Sequence, residues 1–221
     1  MKLPDKLTRK LIESYIKRFK ENEQLDEAVV REVFSTFKND SLEHTMIKVV
    51  VLNSRYSAGL NDNISDKEFD KRGSLIAMDV INMSAFISHE QSIVRHTVNE
   101  AIELANTLGE KTQIEVNSRQ LNRKKSYSFA SKYVFWENYI DSNEKLQIPI
   151  YDSRNITMLY KISKSKNYGI NTKAPRNYAT YKDYADCFLK ITQEINKKLK
   201  TNFSTRDFDM FFWQYAKEHN I

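Results

Sequence analysis

The chain has 221 residues and a mass of 26.1 kDa, which suits one compact domain or two small lobes. It contains no apolar run near the roughly 18 residues of a membrane span, and its single cysteine, Cys187, excludes an internal disulfide and a cysteine-based zinc site. With only 4 Gly and 3 Pro, an architecture with many tight turns is disfavoured, and we expect an all-α fold.

The net charge of +6 is unevenly distributed along the chain. Residues 1–110 contain 15 Lys+Arg against 18 Asp+Glu, whereas residues 111–221 contain 20 against 11. We therefore expect a single helical unit in which an acidic lobe, 1–110, and a basic lobe, 111–221, flank a cleft. Segment 111–176 alone carries a net charge of +8, which favours a nucleic-acid partner. A merely solvated, lysine-rich surface is the alternative.

Apolar spacing and capping residues predict eight or nine helices. The helix that follows Asp40 or Ser41 carries apolar residues around its circumference, so we expect it to be central and buried. Gly109 is expected to act as a C-terminal cap, and residues 111–123 are predicted to form a loop or a short irregular element. The predicted helices cover about 5–21, 24–38, 41–52, 65–86, 89–108, 124–140, 153–162, 178–199 and 204–218.

Two residues could act together on an electrophilic carbon. Lys125 is predicted to lie in the first turn of a helix, where neighbouring cations and the positive helix end would favour the neutral, nucleophilic amine. Asp152 follows an extended segment that contains Pro149, and Asp152 or Ser153 is expected to cap the next helix. At such a helix N-terminus the free amide groups stabilise the Asp152 carboxylate. An amine and a carboxylate that face one carbon could attack it and stabilise the developing positive charge.

This order of elements resembles the helix-hairpin-helix DNA glycosylase superfamily, whose lyase-competent members pair a lysine with an aspartate in a Pro-Val-Asp-like motif. The pattern from Lys125 through Phe129, Ala130 and Lys132 is similar to the archaeal 8-oxoguanine glycosylase branch. The resemblance implies that Lys125 is the Schiff-base nucleophile and Asp152 the stabilising carboxylate. The hairpin of this superfamily usually contains a Gly-x-Gly turn, whereas residues 120–124 contain no glycine. Lys124, next to Lys125, is the alternative nucleophile.

The resemblance also implies a set of residues that contact DNA or the flipped base. Aromatic side chains could stack on an extruded base, and cations could contact phosphates. These residues are Asn53, Arg123, Lys124, Lys132, Trp136, Tyr151, Arg154 and Trp213.

We therefore expect a cytoplasmic, monomeric DNA glycosylase, with or without AP-lyase activity, that needs no cofactor or metal and does not bind membranes. Its predicted partner is double-stranded DNA that carries a damaged or modified base. Genome repair and defence against phage DNA both remain open as its setting. Two other functions remain open: a catalytically silent module that recognises modified DNA, and a helical interaction protein that does not bind DNA.

Overall fold

The computed structural model of the protein describes residues 3–4, 6–56, 84–85, 87, 93–111, 113–115 and 123–220. The predicted all-α fold is confirmed, with one short two-stranded sheet added within the described residues. None of the described helices is both long and apolar enough to cross a membrane. The helices and strands are α1 (Arg9–Thr36), α2 (Leu42–Tyr56), α3 (Val98–Lys111), β1 (Gln113–Glu115), β2 (Arg123–Lys125), α4 (Tyr127–Asp141), α5 (Ser153–Lys164), α6 (Tyr181–Leu199) and α7 (Thr205–Glu218).

The chain forms two compact units, which differ from the two lobes predicted at 1–110 and 111–221. The terminal unit combines Met1–Leu25 with Gln147–Ile221, and the inserted unit is Asp26–Leu146. The terminal unit contains 20 Lys+Arg and 11 Asp+Glu, a net charge of +9, whereas the inserted unit contains 15 and 18. The basic excess therefore belongs to the unit that contains both chain ends.

Helix α1 is one continuous helix of 28 residues, although two helices were predicted over 5–21 and 24–38. The residues between those predictions, Asn22 and Glu23, are neither glycine nor proline, and the glutamates and glutamine at 21, 23 and 24 are good helix formers. Because nothing in this stretch interrupts the backbone hydrogen bonds, the helix continues through it.

The prediction that the third helix is buried on all sides is wrong. Ser41 caps α2 by accepting a hydrogen bond from the His44 amide at 3.1 Å, as the sequence indicated. The buried face then contains Thr45, Lys48, Val49 and Leu52, whereas Ile47 and Val50 are exposed. The helical period thus places a lysine among the core residues.

Helix α3 begins at Val98 and not at the predicted residue 89; the predicted cap at 88–91 lies outside the described residues. Its N-terminus is a capping box in which Glu100 N donates to Thr97 Oγ1 at 3.2 Å and Thr97 N donates to Glu100 Oε2 at 3.1 Å. Asn138 holds the preceding residues in a non-helical conformation, because its Oδ1 accepts from Arg95 N at 2.6 Å and its Nδ2 donates to the Ile93 carbonyl at 3.1 Å.

Gly109 does not cap the helix as predicted, because α3 continues past it to Lys111. A Cβ atom at Gly109 would lie 2.4 Å from Cδ1 of Tyr127, and the Gly109 carbonyl accepts a hydrogen bond from Ser126 N at 3.0 Å. The glycine is therefore required for the close approach of α3 to the start of α4.

Residues 113–115, within the predicted loop, and residues 123–125, at the predicted helix start, form an antiparallel strand pair; residues 112 and 116–122 of the predicted loop lie outside the described residues. Strand β1 pairs with β2 so that Gln113 lies opposite Lys125 and Glu115 opposite Arg123. Helix α4 begins only at Tyr127. The prediction that Lys125 opens a helix is therefore wrong, because its backbone belongs to a strand.

The last three helices lie close to the predicted ranges. Thr180 caps α6 through the Asp183 amide, and Ser204 forms a capping box with Asp207 at the start of α7. Phenylalanine side chains from α6 and α7 form much of the core of the terminal unit, namely Phe188, Phe208, Phe211 and Phe212.

Candidate functional site

The extended segment that leads to Asp152 is fixed by hydrogen bonds to its carbonyl groups. Tyr181 donates to the Pro149 carbonyl at 2.7 Å, and Tyr184 donates to the Ile150 carbonyl at 2.7 Å. Both tyrosines are fully buried, and burial raises the pKa of each phenol well above its ordinary value. The hydroxyl groups therefore keep their protons and remain donors.

A second set of buried groups joins this segment to α7. Asn155 Nδ2 donates to the Ile150 carbonyl at 3.2 Å and to Asp209 Oδ1 at 2.5 Å. Asp209 is itself paired with Arg206, and both side chains are buried. Helices α5, α6 and α7 thus hold the backbone immediately before Asp152 in one position.

Asp152 is the N-cap of α5, as predicted. Its backbone is extended, with φ −137° and ψ 144°, and its Oδ1 accepts a hydrogen bond from Arg154 N at 2.8 Å. The residue is partly exposed. Tyr151 packs edge-on against Tyr184 with ring centroids 5.0 Å apart, and Tyr178 does so from 5.4 Å. The carboxylate therefore lies beside a cluster of aromatic rings.

Arg154 and Trp213 contact each other in the terminal unit. The Arg154 guanidinium lies 4.7 Å from the Trp213 ring centroid, and Lys217 Nζ lies 4.6 Å from it. Lys217 is paired with Glu23 at 2.8 Å, whereas Arg154 makes no ion pair within the described part of the chain. Trp213 is partly exposed, and a base could stack on its ring only where these cations leave room.

Two predicted DNA-contacting residues of the inserted unit are buried, so those two predictions are wrong. Lys132 is 3% exposed and donates to Ser128 Oγ at 3.1 Å. Trp136 is 1% exposed and packs edge-on against Phe135 and Tyr139. Both lie on α4, whose surface is covered on nearly all sides, so neither can reach DNA without unfolding.

The other predicted residues of the inserted unit remain untested. Asn53 is partly exposed on α2. Arg123, Lys124 and Lys125 form β2, and their side chains lie outside the described part of the structure. The structure thus brings Tyr151, Asp152, Arg154 and Trp213 into one unit and places the remaining predicted residues in the other.

Sequence reasoning missed a buried polar cluster between α2 and α4. Lys48 Nζ donates to Glu137 Oε1 at 2.7 Å and lies 3.4 Å from Asn39 Oδ1, while Asn39 Nδ2 donates to Glu137 Oε1 at 2.9 Å. Tyr133 donates to Asn39 Oδ1 at 2.6 Å. Burial, reinforced by the Glu137 carboxylate, raises the pKa of Tyr133 well above its ordinary value, so the phenol remains a donor.

Three residues of this cluster line a cavity of about 600 Å³. Asn39, Lys48 and Glu137 form its polar wall, and Phe34 and Phe37 contribute apolar surface. The signal in the sequence was the position of Lys48, which is three residues after Thr45 and four before Leu52, on the buried side of α2.

A family model named HI_0787_N, described as an N-terminal domain, matches residues 11–142, which is more than half of the chain. The chain belongs to the HI_0787_N family. No curated protein and no solved structure shows significant similarity to it.

The segment that matches the HI_0787_N model contains one candidate site and not the other. It ends ten residues before Asp152, so the aspartate and the helices that hold it lie beyond the matched segment. It includes every residue that lines the cavity, from Phe34 to Asp141. The buried cluster is therefore a feature of the HI_0787_N segment, whereas the Asp152 site belongs to the C-terminal part of the chain.

Proposed function

We propose that the chain is a DNA glycosylase that removes a damaged or modified base, with Asp152 as its catalytic carboxylate. The observation that carries this proposal is the position of Asp152, which is a partly exposed N-cap on a rigidly held segment. The unit around it has a net charge of +9. A polyanion is attracted to such a unit, because binding releases the counterions that its phosphates had condensed.

The chemistry requires a carboxylate next to the sugar of a flipped nucleotide. As the bond between C1′ and the base nitrogen breaks, both bonding electrons leave with the base, and positive charge develops on the sugar. The Asp152 carboxylate stabilises that charge electrostatically. It then accepts a proton from the water that adds to C1′, and the departing base takes up a proton. The products are the free base and an abasic site.

The position of Lys125 in a strand determines which of the two reaction routes is the primary proposal. A neutral amine was expected because Lys125 was predicted to open a helix, and the strand position of Lys125 removes that reason. Hydrolysis by water, with Asp152 as the activating group, is therefore the primary proposal. Attack by Lys125 or Lys124, followed by Schiff-base formation and β-elimination, is the secondary one.

The decisive experiment measures base release by Asp152→Asn. Asparagine is as good an N-cap as aspartate, so the fold is retained while the charge is lost. We expect base release to fall by about 100-fold or more and duplex binding to change little. Asp186→Asn is the matched control, because Asp186 lies on α6 of the same unit and forms a surface ion pair with Lys182 at 3.7 Å, which contributes little to stability.

Substrates for this assay are duplexes that contain 8-oxoguanine, uracil, an alkylated base or a modified cytosine. Equal base release by Asp152→Asn and the unmodified chain would refute the role of Asp152. Borohydride trapping separates the two routes: an adduct that is lost in Lys125→Gln and kept in Lys124→Gln identifies Lys125 as a nucleophile. No adduct, with base release retained, identifies the hydrolytic route.

Salt dependence tests the DNA-binding part of the proposal separately. Neutralising about six phosphates gives a slope near −5 in log affinity against log salt. Such a slope without any base release would indicate a silent module that recognises modified DNA. A flat slope would indicate an interaction protein that does not bind DNA.

A further inference from the structure

The cavity of the inserted unit has the composition of a binding site. We propose that it binds a small, neutral, aromatic molecule that carries an amide or lactam edge. Its volume of about 600 Å³ lies within the usual range of about 300–1,000 Å³ for ligand pockets. This inference does not rest on the proposed function, because every lining residue belongs to the inserted unit and no step of it involves DNA.

The buried ion pair is the first reason for this inference. The side chains of Lys48 and Glu137 are 1% and 10% exposed. An ion pair at such a depth contributes little net stability, because desolvation of both charges offsets their attraction. An apolar pair of equal size often stabilises the fold equally well. A charged pair on a cavity wall is therefore explained better by what it can bind than by stability.

The charges of the cluster determine the charge of the ligand. Lys48 and Glu137 lie 2.7 Å apart and cancel each other, and Asn39 and Tyr133 add no charge. A ligand with a net charge would enter without a counter-charge and would have to give up its hydration. The exposed charges at the cavity rim, Lys38, Asp40 and Asp141, stay hydrated and are screened by salt, so they affect a bound ligand less than the buried cluster does. The site therefore favours a neutral ligand.

The unused hydrogen-bonding capacity of the cluster defines the ligand edge. Lys48 has three N–H donors and directs two toward Glu137 and Asn39, and Asn39 uses one of its two amide N–H groups on Glu137. The Glu137 carboxylate has acceptor sites beyond the two bonds to its Oε1. The Asn39 amide and the Glu137 carboxylate are joined by a hydrogen bond of 2.9 Å, so the second N–H of the amide and the second oxygen of the carboxylate belong to neighbouring groups that could serve the adjacent C=O and N–H of an amide or lactam.

Aromatic and aliphatic side chains supply the remaining surface. Phe34 and Phe37 line the cavity together with Ile93, Val94 and Ile140. Phe34 is buried and packs edge-on against Tyr133, with ring centroids 5.2 Å apart, which fixes the position of its ring. A planar ring can pack against it while its polar edge contacts Asn39 and Glu137.

Three probes of the same shape test the inference on the unaltered full chain. Benzamide is neutral, benzoate is anionic and benzamidine is cationic. We expect benzamide to bind at least about tenfold more tightly than either charged analogue, which corresponds to about 1.4 kcal/mol. Ligand-detected NMR measures the three affinities, and chemical-shift changes in Ile93 and Ile140 methyl groups identify the cavity as the site.

Substitutions that change the charge of the cluster should change the preferred probe. Glu137→Gln leaves one positive charge and should make benzoate the tightest ligand, whereas Lys48→Met leaves one negative charge and should favour benzamidine. Lys38→Gln, at an exposed lining residue, is the matched control and should leave the order unchanged. Circular dichroism verifies that each variant is folded.

If a variant unfolds, probe binding to the unaltered chain still tests the proposal. No benzamide binding at about 10 mM, a concentration at which even a ligand with a binding free energy of only about −3 kcal/mol is detected, would overturn the proposal. Equal binding of a charged analogue would overturn it as well. Binding of benzamide that leaves the Ile93 and Ile140 methyl signals unchanged would place the ligand elsewhere and would also refute it.

Discussion

The Lys48–Glu137 pair gives the most informative stability prediction. When one partner is removed, the remaining charge keeps different polar contacts and a different solvent exposure in the two cases. In Lys48→Met, Glu137 keeps the Asn39 N–H at 2.9 Å and its side chain is 10% exposed. In Glu137→Leu, Lys48 keeps Asn39 Oδ1, at 3.4 Å, and the Phe34 ring, whose centroid lies 5.2 Å from Nζ, and its side chain is 1% exposed.

Breaking a buried ion pair by removing one partner costs about 3–5 kcal/mol in the free energy of unfolding. We expect Lys48→Met near about 3 kcal/mol and Glu137→Leu near about 5 kcal/mol, because Lys48 has the poorer remaining contact. The double variant removes both charges and should cost about 1 kcal/mol or less. The coupling energy should therefore be about 7 kcal/mol in magnitude, well above the error of a double-mutant cycle.

Urea denaturation followed by fluorescence measures these values. The chain has two tryptophans, and Trp136 lies in the inserted unit whereas Trp213 lies in the terminal unit. In a Trp213→Phe background, tryptophan emission reports on the inserted unit alone. Single variants that each cost less than about 1 kcal/mol, or a double variant that costs as much as their sum, would refute the buried pairing.

Two further predictions follow from individual contacts. Gly109→Ala should lower the free energy of unfolding by about 1–3 kcal/mol, because the new Cβ would lie 2.4 Å from Cδ1 of Tyr127. Urea denaturation measures this change. An increase of up to about 1 kcal/mol, which is the usual effect of alanine in a helix, would contradict the contact. A hydrogen bond from Arg176 lowers the pKa of Tyr160, so Arg176→Gln should raise that pKa toward its ordinary value in an NMR titration of the phenol carbon, and an unchanged titration would contradict the assignment.

The elements that sequence predicted best are those whose ends are set by local residues. Pro149 and Asp152 define an extended segment and a cap within a few residues of each other, and the structure confirms both. The ends of α6 and α7 follow the same rule, because Thr180 and Ser204 cap them with their own side chains.

The errors occur where distant residues decide the outcome. Lys125 lies in a strand because it pairs with Gln113, and Gly109 leaves room for Tyr127 and does not end its helix. Lys132 and Trp136 were assigned to a DNA surface from their residue types, but α4 is buried on nearly all sides. Such tertiary contacts have no local signature in the sequence.

The burial of Lys48 could be predicted from its position on the helix. The helical period already placed Lys48 with Thr45, Val49 and Leu52. What the sequence did not contain was its partner, because Glu137 lies 89 residues further along the chain. A lysine on the buried side of a helix predicts a buried acceptor, although not its identity.

The N-terminal part of α1 has a consequence for how the protein is made. Tyr15 and Phe19 pack on rings of α7, at 4.9 Å from Tyr215 and 5.4 Å from Trp213. These partners lie 200 and 194 residues further along the chain, so the first helix leaves the ribosome with two large aromatic side chains uncovered. A truncated polypeptide that ends at residue 142, where the family match stops, would keep them uncovered and would be prone to aggregate.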